Sequence, residues 1–189
     1  MQLRVHPVII QLKEKIDEEG KKNKYNIDLT YITSRGRWYQ TSWKGDRSKS
    51  GCVATNIRIH FFDMLMWIFG PMDYQKLHYA DERKMAGFMS LEKANVRWLL
   101  SVDKNDLPPS ARKRKAPTYR SITVDDQEIE FSGGFTDLHT MVYQDILPGG
   151  GYGVEDARTS IKVVSELHNM KVAGIHPERS NPLLLNILN

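Results

Sequence analysis

The chain has 189 residues, a net charge of +4, 40% hydrophobic and 26% charged residues, and one cysteine. That is an ordinary globule with one good core; a single thiol excludes an internal disulfide framework and fits a reducing, cytoplasmic setting. No apolar run reaches the ~18 residues of a membrane span, Met1-Gln2-Leu3-Arg4-Val5-His6-Pro7 is no signal peptide, and the modest positive charge suits an anionic small molecule better than nucleic acid.

Pro7 opens a helix through Val8, Ile9, Leu12 and Ile16, and Gly20 closes it. After the basic turn Lys21-Lys22-Asn23-Lys24, residues Asn26 to Ser34 alternate polar and apolar like a half-buried strand. Arg35 to Ser50 is a polar loop carrying Arg35, Trp38, Tyr39, Trp43 and Lys44. Aromatic rings beside cations suit a ligand with a ring and an anion, and loops commonly carry binding residues. The alternative is a loop that packs its own aromatics down as an anchor.

Between Gly51 and Gly70 the sequence predicts one helix, with Ser48 or Ser50 as N-cap and Gly70-Pro71 as the stop. It is apolar on nearly every side and so should be buried. Asn56, His60 and Asp63 stand out at i, i+4 and i+7, which aligns them along one side. Unpaired buried polar groups cost ~1–3 kcal/mol each, so the row needs partners that a substrate could supply. The competing reading makes His60 a satisfied core histidine. His60-x-x-Asp63 could offer two metal ligands, but no His or Cys cluster completes a site, so no metal is expected.

Lys76–Ala80, Ala86–Leu91 and Ala94–Val102 read as a β run that ends before Pro108-Pro109. Tyr119–Val124 and Gln127–Phe131 flank Asp125-Asp126 as a tight hairpin. Helices follow over Phe135–Leu147 and about Val154–Val172, the tail 175–189 reads as irregular, and Leu183-Leu184-Leu185 must dock or be exposed. Strands in succession with helices before and after mean α+β, as an open, mostly antiparallel sheet. Gly149-Gly150-Gly151-Tyr152-Gly153 is not the G-x-G-x-x-G fingerprint. It could hold a phosphate at a helix N-terminus, or serve only as a C-cap and turn. The run Arg112-Lys113-Arg114-Lys115 could touch RNA or be a solvated loop.

Gln2–Pro7, Tyr31–Tyr39, Ser42-Trp43-Lys44-Gly45, Asn56–Asp63 and Gly151–Ile161 together resemble the C-terminal domain of the Gfo/Idh/MocA family, the glucose-fructose oxidoreductases and inositol dehydrogenases. The nearest branch acts on UDP-N-acetyl-aminosugar uronates in bacterial surface-polysaccharide biosynthesis. The resemblance implies an open sheet with helices on one face, a substrate-binding wall, and homo-oligomerisation through the exposed sheet. It implies NAD as cofactor, bound mainly by an upstream Rossmann domain that also carries a catalytic lysine; neither is in this sequence. It makes His60 the base for a sugar hydroxyl, with Asn56 and Lys44 holding that hydroxyl or a sugar carboxylate. Arg4, Arg35, Tyr39, Trp43, Asp63, Tyr152 and Gly153 become substrate-binding candidates. Two departures matter. Asn56 stands where many members have Asp and cannot take a proton, and Cys52 and Arg58 replace glycines. A non-catalytic nucleotide-sugar-binding or oligomerisation module is the alternative.

Overall fold

The computed structural model describes residues 2–20, 22–35 and 53–188, without the side chains of 53–56 and 58. A 3-10 turn at Gln2–Val5 leads into helix α1, Pro7–Glu19, whose buried side is Ile9, Leu12 and Ile16. Gly20 stops α1 in the left-handed conformation, with φ +52°, where a Cβ would be strained. Strand β1, Tyr25–Thr33, and helix α2, Val53–Phe69, follow. The N-caps proposed for α2, Ser48 and Ser50, lie outside the described residues.

Three consecutive antiparallel strands come next: β2, Met72–Ala80; β3, Lys84–Leu91; and β4, Ala94–Ser101. A 3-10 turn at Lys104–Asp106 and the short helix α3, Pro109–Lys113, lead to the hairpin of β5, Thr118–Val124, and β6, Gln127–Glu130. Asp125 and Asp126 both adopt positive φ, +43° and +72°, as a two-residue hairpin with the right-handed strand twist demands. Helices α4, Leu138–Ile146, α5, Val154–His168, and α6, Pro182–Leu188, complete the described chain. The six strands form one sheet in the order β2-β3-β4-β1-β5-β6. Only β1 and β4 are parallel, so the architecture is α+β with a mostly antiparallel sheet.

Strand alternation sorts the side chains into two layers. Tyr25, Ile27, Leu29 and Tyr31 of β1, Val96, Trp98 and Leu100 of β4, and Ile122 of β5 join the main core with the buried residues of α1, α2 and α5. Gly87 makes room for this layer. A Cβ there would lie 2.3 Å from the Lys76 carbonyl oxygen and 2.6 Å from the Trp98 ring.

The opposite face corrects the expectation of a tail irregular throughout. Residues 175–181 have no helix or strand, but α6 forms at Pro182–Leu188 and Leu184, fully buried, packs with Ala86 and Leu99. The uncovered remainder of that face is polar rather than apolar, since Arg97 forks onto Asp28 at 2.5 and 2.7 Å and Ser121 donates to Glu128 at 2.7 Å. Bare apolar area therefore gives no support to self-association through the sheet. The last long helix also stops early, at His168 rather than Val172, and residues 112 and 113 of the basic run belong to α3.

Asn181 pins the tail down by donating from Nδ2 to the carbonyls of Leu29 and Arg97, both at 3.2 Å. Ser180 Oγ bonds the buried His78 Nδ1 at 2.9 Å. Leu184→Ala is expected to cost ~2–5 kcal/mol of stability by chemical denaturation, as for other buried leucines. Burial, then the charges of His176, Lys76 and Arg179, lowers the pKa of His78. As pH falls below about 6.5 the unfolded chain takes up this proton first, so stability is lost towards the lower folded value. His78→Asn should accordingly lose less stability than the parent between about pH 7 and pH 5 in urea titrations.

Candidate functional site

Helix α2 is the spine of the site. Ile57, Phe61, Phe62, Met64, Leu65, Ile68 and Phe69 are buried around it, so its polar residues must find partners inside the molecule. Asp63 has no solvent exposure. Arg4 donates to it twice, Nε to Oδ2 at 2.8 Å and Nη2 to Oδ1 at 2.6 Å, and Ser160 Oγ of α5 donates to Oδ1 at 3.0 Å. Arg4 Nη2 also donates to the Asp156 carbonyl at 3.3 Å, and its guanidinium lies 4.6 Å from the centre of the Tyr152 ring.

This geometry changes what four of the candidates can do. Asp63 faces Arg4 and Ser160 with both oxygens bonded, and Arg4 has Nε and Nη2 committed, so the pair is an internal clamp rather than two open substrate contacts. Tyr152 forms one wall of that clamp, with part of its ring still exposed. The Gly153 amide is already bonded to Asp156 Oδ2 at 2.8 Å, and Glu155 and Asp156 fill the first turn of α5 with negative charge. A phosphate at this helix N-terminus would meet two carboxylates.

His60 lies one turn before Asp63 on α2 and is half-buried. Its Nδ1 is buried with no hydrogen-bond partner among the described residues. Burial lowers its pKa, the Asp63 charge opposes the shift, and His139 on α4 adds to it. The ring therefore stays neutral to lower pH than a free imidazole. Asp63, one turn on, does not bond Nδ1.

Arg35, the last described residue before the aromatic loop, is exposed, and its backbone N–H reaches the Val102 carbonyl at 3.3 Å. Tyr39, Trp43, Lys44 and the side chain of Asn56 lie outside the described parts. No metal-binding group of His, Cys, Asp and Glu occurs among the described residues.

Arg120 was not singled out from the sequence. It stands on β5 opposite Tyr31 of β1, with its guanidinium 3.8 Å from the centre of the Phe135 ring and 5.2 Å from that of Tyr31. The available signal was alternation: Arg120 shares its strand face with the core residues Ile122 and Val124.

A family model described as "Oxidoreductase family, C-terminal alpha/beta domain", of the Gfo/Idh/MocA group, matches residues 13–104. Two structures of the WlbA (WbpB) dehydrogenase from Thermus thermophilus match with TM-scores of 0.90. They are 46% and 44% identical over 96% of this chain. The chain belongs to this oxidoreductase family. The first Thermus structure is a complex with NAD and alpha-ketoglutarate, the second with NAD and UDP-GlcNAcA. This family member spans 58% of the length of those relatives. The Bordetella pertussis WlbA dehydrogenase, 17% identical over 87% of this chain and 57% of its own, with a TM-score of 0.62, shares the fold.

Asp63→Ala is expected to destabilise the protein by ~3–5 kcal/mol, because it strips the part-buried Arg4 of its two-bonded partner and leaves it only Asp156 Oδ1, 3.7 Å away. Replacing both partners, Arg4→Met with Asp63→Leu, should return much of that loss in the same denaturation experiment.

Proposed function

We propose that this chain is the substrate-binding part of an NAD-dependent dehydrogenase that oxidises a hydroxyl of a UDP-N-acetyl-aminosugar uronate to a ketone. The observation that carries the reading is His60, a neutral, half-buried imidazole whose Nδ1 has no hydrogen-bond partner among the described residues. The similarity to the Thermus complexes with NAD and UDP-GlcNAcA supports the substrate class.

Oxidising an alcohol removes a hydride from carbon and a proton from oxygen. A substrate hydroxyl donated to His60 Nδ1 would supply the missing bond, and the imidazole would take the proton there. Burial suits this role, because it keeps the ring able to accept a proton at neutral pH. The Arg4–Asp63–Ser160 clamp fixes how α2 is seated and thereby aims His60. These three are positioning residues. Asn56 and Lys44 are assigned to the reacting hydroxyl, and Arg35, Tyr39 and Trp43 to the nucleotide sugar. Tyr152 keeps an exposed edge that a ligand could reach, and Gly153 serves the α5 cap.

NAD supplies the hydride acceptor in this reading. The described residues do not fit a dinucleotide cradle, since the glycine run at 149–153 follows helix α4 and leads into acidic residues. No contact with the cofactor is assigned to them. A surface-polysaccharide pathway, a cytoplasmic setting and homo-oligomerisation rest on the resemblance alone. Among the described residues no helix is long and apolar enough to cross a membrane. Nucleic-acid binding is disfavoured by the basic run itself: Arg112 donates to the Leu107 carbonyl at 2.7 Å and Arg114 pairs with Glu130 at 2.8 Å.

The decisive experiment joins this chain to the cofactor-binding part of the Thermus relative and follows NADH formation from UDP-GlcNAcA. His60→Ala should lower turnover ~10²–10⁴-fold with KM within a few-fold, and should abolish the acid limb of the pH–rate profile. Normal turnover in a folded His60→Ala enzyme would remove His60 from the chemistry. Binding of UDP-GlcNAcA without turnover in the unsubstituted chimera would favour the non-catalytic binding module.

A further inference from the structure

The arginines of this chain divide by what they hold. Arg4 and Arg97, partly buried, each grip an aspartate with two hydrogen bonds, and the exposed Arg83, Arg114 and Arg158 each pair with a carboxylate. Arg120 is half-buried and pairs with no carboxylate among the described residues. Its Nη1 donates to the Ser132 carbonyl at 3.2 Å, and its backbone N–H to Ser132 Oγ at 2.9 Å.

Its surroundings are built. Phe135 lies beneath the guanidinium at 3.8 Å, and the Tyr31 ring flanks it at 5.2 Å. Phe135 is backed in turn by buried His6, 5.2 Å away, whose Nε2 bonds the Gly133 carbonyl at 3.0 Å. Tyr31 packs on Phe61, the α2 residue next to His60, at 4.8 Å. The guanidinium plane thus rests on rings that continue to the helix carrying the proposed base. Burial disfavours its charge, the Tyr31 phenol opposes that through its charge and a side-chain hydrogen bond, and the Arg35 charge adds to it; among the described residues no carboxylate faces the guanidinium.

We propose that Arg120 is a specificity-determining residue that receives the carboxylate of a sugar uronate, its planar fork pre-set on Phe135 and Tyr31. This deepens the nucleotide-sugar reading and rests on it. A guanidinium suits the task because its parallel N–H groups match a carboxylate two to two, which an ammonium cannot do. The competing anion on the same ligand is the diphosphate, and a substrate pair differing only in the carboxylate separates them.

The test measures calorimetric affinities of the full chain and of Arg120→Met and Arg120→Lys for UDP-GlcNAcA and UDP-GlcNAc. Arg120→Met should weaken UDP-GlcNAcA by ~10–100-fold, the worth of a charged hydrogen-bonded contact, while UDP-GlcNAc changes less than about threefold. Arg120→Lys should recover only part of the loss. Equal losses for both sugars would assign Arg120 to the diphosphate and overturn the proposal.

Thermal unfolding of the free chains gives a readout independent of sugar nucleotides. Arg120→Met should melt at the parent temperature or above, whereas a fall of several degrees would make Arg120 structural and overturn the proposal. If the parent chain binds neither UDP-sugar, the nucleotide-sugar reading fails. Free glucuronate then decides the carboxylate site: it should raise the melting temperature of the parent more than N-acetylglucosamine does, and not that of Arg120→Met. No difference between the two chains would end the assignment.

Discussion

A carboxylate with no access to water lies at the centre of this molecule. Asp63 sits among Phe62, Met64 and Leu65 on a helix that is otherwise core, and a lone charge there would be prohibitively costly. Arg4 and Ser160 make it tolerable, and in doing so they tie three elements distant in sequence: the N-terminal turn, α2 and α5. A hydrogen-bonded ion pair is directional where apolar packing is not. It fixes the rotation of α2 about its own axis, and His60, one turn away, inherits its direction from that constraint.

The sheet divides the remaining labour. On one face its alternate residues merge with α1, α2 and α5 into a single core, with β1 and β4 at the centre. On the other face the same strands carry Asp28 and Arg97, paired with each other, and Ser121, paired with Glu128 of β6, while Asn181 of the tail bonds the Arg97 carbonyl. The covering of that face by α6 needs few apolar contacts. Asn181 takes over part of the work by bonding backbone carbonyls of two adjacent strands, which a leucine could not do.

The site follows from how charge is distributed between these layers. Some polar groups that serve the fold are saturated: Asp63 has three donors, and the Gly153 amide is closed by Asp156. Among the described residues, His60 Nδ1 is buried without a partner, as are His6 Nδ1, Gln75 Oε1 and Trp98 Nε1, and the Arg120 guanidinium faces no carboxylate. In the proposed reading, His60 serves as proton acceptor and Arg120 as anion receiver.

Much of this architecture was legible in the sequence because it is local. Pro7 and Gly20 bracket α1, the apolar run from Val53 to Phe69 dictates a buried helix, and Asp125-Asp126 between alternating segments dictates the hairpin. The spacing of His60 and Asp63 placed them on one side of α2. What the sequence could not decide is which partner each polar group would take, because a partner is chosen by long-range packing. Arg4 read as a ligand contact and is committed within the fold to Asp63 and Asp156, because the N-terminal turn packs where α2 and α5 meet. The surroundings of Arg120 were not legible within its strand, since only the register of β5 against β1 sets it on Tyr31 and only the return of the chain after β6 brings Phe135 beneath it. The tail read as irregular because a seven-residue helix has little propensity of its own. It forms where Ala86 and Leu99 give Leu184 somewhere dry to go, and that surface exists only once the sheet is assembled.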